Sequence, residues 1–363
     1  MENNSPIILA IDQGSGSTKA LAINLKGEVL AQSEVKIATS FPQPGWVEQD
    51  PEEIWQSVVT ASNEITKSHK ISALGLSIQR ESVLFWDRTT GKALSKVITW
   101  QDRRASELVE KQLKNAAKVK AISGLELDPM FSALKAQWLL ENNNFNKSDI
   151  CIGTIDSWIA FKLGAGHIDE AGSASRTQLL DIQTGKWSPE LLSIFGISES
   201  QLPRVCASNE KHKCTNMQEL GLTNDIPLSG IMGDSHAALF AHQGWKSGYF
   251  KATFGTGTSL MGLTETNPQT IAWALGSEIT RAAEANILST GSTLVWLAQL
   301  LDTTPDELAK LAPESMQQVE IVPAFNGLGA PWWDREATGI IAGLTRGSSR
   351  ADLAAAALRS TAA

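Results

Sequence analysis

The 363 residues carry 39 Asp and Glu against 31 Lys and Arg, a formal charge of −8, and 42% of them are hydrophobic. That length suits two domains rather than one. The acidic balance argues against nucleic acid or an anionic membrane as the main partner, although glycine turns and helix N-termini can still hold phosphates through backbone N–H groups. No apolar run approaches the roughly 18 residues of a membrane span. The N-terminal apolar run stops at Asp12 with no basic leader, so it reads as a strand and not as a signal peptide. Cys151, Cys206 and Cys214 form no CxxC pair and are expected as reduced thiols in a cytoplasmic protein.

In chain order, residues 7–11 (IILAI) form a short β-run, residues 12–19 (DQGSGSTK) a polar glycine turn, and residues 20–23 a second strand. A turn at 25–28 and a strand over 29–38 complete an antiparallel meander. Asp50 then caps a helix, with Pro51 at N1 and Glu53 at N3 to complete a capping box. Trp55, Val58 and Val59 carry that helix to about residue 69. Strands are expected over 71–78 and 81–87, and helices over 104–119 and 132–142. The second of these helices has Leu134, Trp138 and Leu139 on one face.

The opening motif returns further on. IPLSGIM (226–232) is a strand ending at Gly233-Asp234, and residues 235–242 are helical. Strands over 248–254 and 259–263 then flank the glycine turn Gly255-Thr256-Gly257-Thr258. Two strand–glycine turn–strand units about 240 residues apart suggest a duplicated α/β architecture with a cleft between the halves. The boundary is expected near 237–250. Thr304-Pro305-Asp306-Glu307 is a capping box opening a helix to about residue 311. Ser349 caps a final alanine-rich helix that meets no stop signal, which reads as a domain cut short.

The chemistry concentrates at the turns and strand ends. Gly14 and Gly16 allow close backbone approach to an anion, and Ser15, Ser17, Thr18 and Lys19 add donors. The turn at 255–258 offers the same. Neither is a Walker A loop or a dinucleotide GxGxxG followed by a crossover helix. Asp12, closing the first strand, can hold Mg²⁺ through water. Asp234, at the end of 226–232, can accept a proton from a hydroxyl attacking a γ-phosphate, or cap the helix behind it. Arg80-Glu81 at another strand end faces either solvent or a polyol pocket. Twelve tryptophans against one tyrosine make Trp100 a candidate pocket wall.

Seven segments carry a resemblance, in the same order along the chain. They are FPQPGWVEQDPEEIW (41–55), SIQRESVLFWDRTTGKAL (77–94), ITWQDRR (98–104), GTIDSWIAFKL (153–163), GDSHAALF (233–240), TFGTGTSLM (253–261) and residues 323–358. Together they resemble the FGGY carbohydrate kinases, glycerol kinase-like members in particular. The resemblance implies an α/β, two-domain actin/hexokinase-type ATPase (ribonuclease H-like) fold. Residues 1–243 would be the substrate and phosphate domain, and 244–363 an incomplete nucleotide domain. The cofactors implied are ATP and Mg²⁺, the partner a small polyol or sugar, and a homodimer is compatible with the family.

By that resemblance Asp12 places Mg²⁺. Ser15, Gly16, Ser17 and Lys19 face the phosphates from the first domain, as do Thr256 and Gly291 from the second. Asp234 is the catalytic base, and Arg80, Glu81 and Trp100 line the substrate site with Met130 and Ser235. Four positions depart from the glycerol kinase pattern. Met130 stands for a tyrosine, Ser235 for a glutamine, Ser259 for an aromatic residue and Val295 for a glutamine near adenine. The first three, at pocket positions, point away from glycerol, toward a related polyol or ketose. Two other readings stay open: a catalytically inactive fragment or sugar-binding regulatory relative, and an actin-like ATPase without a small substrate.

Overall fold

The computed structural model describes residues 5–361 except Lys147, Ser247, Thr256, Asn326 and Arg335. The chain divides into two compact units. The first comprises residues 1–241 with 264–282, and the second residues 242–263 with 283–363.

In the first unit β1 (Ile7–Gln13), β2 (Ser17–Asn24) and β3 (Val29–Lys36) form the expected meander. β4 (Ile71–Ile78) and β6 (Leu228–Gly233) lie parallel to β1, giving a mixed sheet in the order β6-β4-β1-β2-β3. Alternation decides which face is buried: Leu9 and Ile11 of β1 point into the core with Ala20 and Ala22 of β2. Helix α1 (Pro51–Thr66) buries Ile54, Trp55, Val58, Ala61 and Ile65 in the same cluster. Each large side chain there contributes roughly 1.5–3 kcal/mol. β5 (Leu84–Asp87), α2 (Ser106–Gln112), α3 (Ala116–Ser123), α4 (Ser132–Asn142) and α5 (Asp234–Ala241) complete the parts that bear on function.

Several local expectations are corrected by tertiary partners. The glycine turn shrinks to residues 14–16, because β1 and β2 keep pairing through Asp12–Lys19 and Gln13–Thr18. Asp50 does cap α1, accepting the N–H of Glu52 at 2.9 Å and of Glu53 at 3.3 Å. The Glu53 carboxylate instead accepts the Ala38 N–H at 2.8 Å, so the capping box is half built. The helix expected over 104–119 breaks into α2, a 3₁₀ turn and α3. Gln112 is drawn inward, donating to Ile194 O at 3.0 Å, and Asn115 then donates to its side-chain oxygen at 2.8 Å. The strand expected from 81 begins only at Leu84, since Glu81 takes φ 63° and the Ser82 N–H turns back to Arg80 O.

The second unit begins with the hairpin of β7 (Phe250–Phe254) and β8 (Thr258–Leu263). It continues through α6 (Gly291–Leu300) and α7 (Pro305–Leu311), then the pair β9 (Glu320–Val322) and β10 (Ile340–Ala342), and ends on α8 (Arg350–Ser360). The capping box read at Thr304/Glu307 forms, and the cap read at Ser349 closes as a full box with Asp352. Its core joins Leu297, Leu308, Val319 and Ile321 to Ala354, Ala356 and Ala357 of α8. Small alanines let that helix approach closely.

Candidate active site

Parallel strands release their side chains together at their carboxyl ends, and three such ends adjoin in the first unit. Asp12 lies opposite Ser77 of β4, which lies opposite Met232 of β6. Arg80 and Glu81 follow β4, and Asp234 follows β6. Arg80 is 8% exposed and Glu81 5%, so the pair faces inward rather than into solvent. Arg80 Nε is 3.3 Å from Asp234 Oδ1 and 4.0 Å from Glu81 Oε1. The buried guanidinium is thereby compensated by two carboxylates.

Glu81 is held in a left-handed conformation, which costs about 1–2 kcal/mol for a residue with a Cβ. Arg176 Nε donates to Glu81 Oε1 at 2.6 Å, and the Ser132 hydroxyl donates to the Glu81 carbonyl at 2.9 Å. Arg80 Nη1 reaches His236 Nε2 at 3.4 Å. A guanidinium cannot accept, so any hydrogen bond there runs from Arg80 to the imidazole. The same Nε2 lies 3.0 Å from the Thr270 hydroxyl. Gly233 admits this packing: a Cβ there would lie 2.7 Å from Arg80 Cγ and Cδ. Asp234 keeps its side chain 46% exposed and accepts the Ser235 N–H at 2.6 Å. It is thus the first residue of α5 and still open to a ligand.

Trp100 lies between the segment after Glu81 and the first glycine turn, its backbone N–H donating to Ser82 Oγ at 3.2 Å. It is 37% exposed, and its indole N–H donates to Ser15 Oγ at 2.9 Å. Gln49 Nε2 donates to Ser15 O at 2.6 Å, and the Ile37 N–H to Gly16 O at 3.0 Å. Gly16 is exposed at the tip. The Ser17 hydroxyl is directed sideways to Glu34 at 2.7 Å, and Lys19 stands exposed on β2. Asp12 Oδ1 accepts the Ser77 hydroxyl at 2.9 Å, and its other oxygen has no protein partner among the described residues. No group of three or more His, Cys, Asp or Glu converges on a metal position among the described residues. A lone carboxylate suits Mg²⁺, which keeps several waters and takes its other ligands from phosphate.

In the second unit Thr256 lies outside the described residues. The Gly291 N–H and the Thr290 hydroxyl both donate to Gly255 O, at 3.0 and 3.3 Å, and Thr258 Oγ1 donates to Thr290 Oγ1 at 3.0 Å. The turn is therefore fastened to the start of α6. A recess of about 420 Å³ opens beside it, lined by Gly255, Gly291, Ser292, Val295, Trp296 and Gln299. Ser292 Oγ is buried without a partner among the described residues.

Of the departures from the family pattern, Met130 sits in a loop pinned by its N–H to Asp128 Oδ1 at 2.8 Å, and Ser259 gives its hydroxyl to Glu284 at 3.0 Å. Val295 lines the recess. Local sequence did not single out His236, Arg176 or Thr270. His236 was reachable, two positions after Asp234. Arg176 and Thr270 carry no local signal.

The family model for the N-terminal domain of the FGGY family of carbohydrate kinases matches residues 7–241, and that for the C-terminal domain matches residues 250–363. A glycerol kinase of Bdellovibrio bacteriovorus is 42% identical over 99% of this chain and 78% of its own length. An apulose kinase of Pectobacterium atrosepticum is 39% identical over 99% and 77%. Among solved structures, Plasmodium falciparum glycerol kinase with ADP superposes with a TM-score of 0.92 at 29% identity, covering 98% of this chain and 76% of that one. The clustered Arg80, Glu81 and Asp234, the two glycine turns and these matches converge: the chain belongs to the FGGY family of carbohydrate kinases, has that family's two-domain α/β fold, and is a phosphotransferase.

Proposed function

We propose that the protein transfers the γ-phosphate of ATP to a terminal hydroxyl of a small polyol or ketose. The observation that carries this reading is the half-exposed Asp234 carboxylate held 3.3 Å from the buried Arg80 guanidinium, beside Glu81. Arg80 donates to acceptor hydroxyls, Glu81 accepts from them, and Trp100 forms a wall. Asp234 takes the proton of the attacking hydroxyl as its oxygen bonds to the γ-phosphorus. The bond from that phosphorus to the β-bridging oxygen breaks, and ADP leaves. By family resemblance, Ser15, Gly16, Ser17 and Lys19 in the first unit, and Thr256 and Gly291 in the second, are assigned to nucleotide phosphates. Mg²⁺, placed by Asp12 through water, would neutralise charge on the β- and γ-phosphates. The buried free thiols of Cys151, Cys206 and Cys214 fit the reducing cytoplasm.

Met130, Ser235 and Ser259 are smaller or less polar than the residues the pattern expects. They favour an acceptor other than glycerol, since an unpaired buried hydroxyl is costly. A coupled ADP-release assay over glycerol, apulose, xylulose, ribulose and erythritol tests the reading. A ketose or larger polyol is expected to exceed glycerol in kcat/KM. ADP release with no acceptor dependence would overturn it in favour of a plain ATPase. No release, with no ATP–Mg²⁺ binding by calorimetry, would favour an inactive relative.

A further inference from the structure

The first turn of α4 holds a group that the proposed chemistry does not use. Lys135 is wholly buried. Its ammonium donates to two backbone carbonyls, Thr99 O at 3.0 Å and Met130 O at 2.6 Å, and no carboxylate lies within ion-pair distance among the described residues. Glu81, Asp102, Arg103 and Arg104 act on it only at longer range, and burial pushes its pKa down to about 7. A cation in the first helical turn opposes the helix dipole, and burying it adds a desolvation penalty. A methionine would fill the same space with neither cost. What a methionine cannot do is donate to two carbonyls at once.

Those carbonyls belong to the loops that carry Trp100 and Met130. Ser132, three residues earlier on the same helical face, donates to the carbonyl of Glu81 at 2.9 Å. One turn of one helix thus gathers two chain segments distant from it in sequence, around Glu81 and Thr99, together with the Met130 loop that leads into it, each bearing a residue of the proposed acceptor site. We infer that Lys135 is a positioning residue: by tying Thr99 O to Met130 O it fixes the spacing between the Trp100 wall and the Met130 loop, and so sets which acceptors fit. This rests on the acceptor site proposed above, but the tie itself can be tested without turnover.

The experiment compares Lys135→Met with the unmodified chain by amide hydrogen exchange and by kinetics. Exchange over residues 99–104 and 128–132 is expected to rise together, with the β1–β4 core unchanged. Where an acceptor turns over, its KM rises about tenfold while the KM for ATP stays within about twofold. Ser132→Ala loosens the Glu81 loop alone. If Lys135→Met does not fold, Lys135→Gln, which retains an N–H donor on a shorter stem, carries the same comparison. Faster exchange in only one of the two segments, or uniformly across the unit, overturns the inference. So does a parallel rise in both KM values. Coupled loosening of both segments in a chain that phosphorylates nothing would leave the tie standing and refute the function instead.

Discussion

Both units carry a glycine turn between antiparallel strands, and they brace it by different means. The turn at Gly14–Gly16 is held by side chains from elsewhere in its unit, Gln49 and Trp100, and the Trp100 backbone N–H donates to Ser82, one residue past Glu81. The turn at Gly255–Gly257 is held by backbone and hydroxyl groups at the start of α6. The first arrangement ties the turn to the segment that follows Glu81. The second presents small groups and a helix start around a recess, and leaves Phe250 and Phe254 of its hairpin exposed. Changing the charges around Arg80 is therefore expected to impair acceptor chemistry, and changing the start of α6 to impair nucleotide affinity; the first turn itself, proposed to face the phosphates, belongs with the second effect.

The largest expected effect is on the first unit. Asp234→Asn should lower kcat at least about 100-fold while the calorimetric affinity for ATP–Mg²⁺ stays unchanged. Loss of both together would erase the division. The reverse substitution is Gly257→Ala. A Cβ there would lie 2.6 Å from Ile287 O, so the backbone must move. ATP affinity should fall about tenfold, with acceptor KM unaffected.

A smaller effect is expected from Arg176→Lys. It keeps the charge but loses the guanidinium geometry behind the 2.6 Å bond to Glu81. Acceptor KM should rise about fivefold, with little change in the KM for ATP.

The smallest effect concerns stability. Burial pushes the Glu170 carboxyl from 4.5 up to about 7, and Asp156 adds to the shift; the Ser208 hydroxyl and the N–H groups of Gly172 and Ser173 oppose it. Between about pH 4.5 and 7 the folded form holds this proton and the unfolded form does not, so stability falls as pH rises through that window. Burial pushes the nearby His167 down to about 4, which gives the opposite slope. Burial and the neighbouring Asp156 and Glu170 carboxylates also push Asp169 up, so the difference between variant and parent reads this coupled acid cluster. Glu170→Gln should lose about 3 °C less in Tm than the parent between pH 5 and 7.5. Parallel curves would show that the carboxyl is ionised in the folded protein.

Legibility followed the range of the interactions. The caps at Thr304 and Ser349 were readable because partner and cap lie three residues apart. The box at Asp50 was misread because Glu53 found a donor 15 residues away, at Ala38. Asp12, Arg80, Glu81 and Asp234 were readable as charged residues stranded at the ends of apolar runs, where a carboxylate or guanidinium needs a reason to stop a strand.

The sequence by itself therefore determined the two strand–turn–strand units, their bounding caps and the charged strand ends, since all of these are local patterns of burial and capping. Only the tertiary structure decided what surrounds those charges. Arg176 meets Glu81 across 95 positions and His236 meets Arg80 across 156. Lys135 reaches Thr99 across 36. No period in the chain encodes such meetings. They exist because a parallel sheet sets three strand ends side by side, and because the first turn of α4 reaches the carbonyls of Glu81 and Thr99.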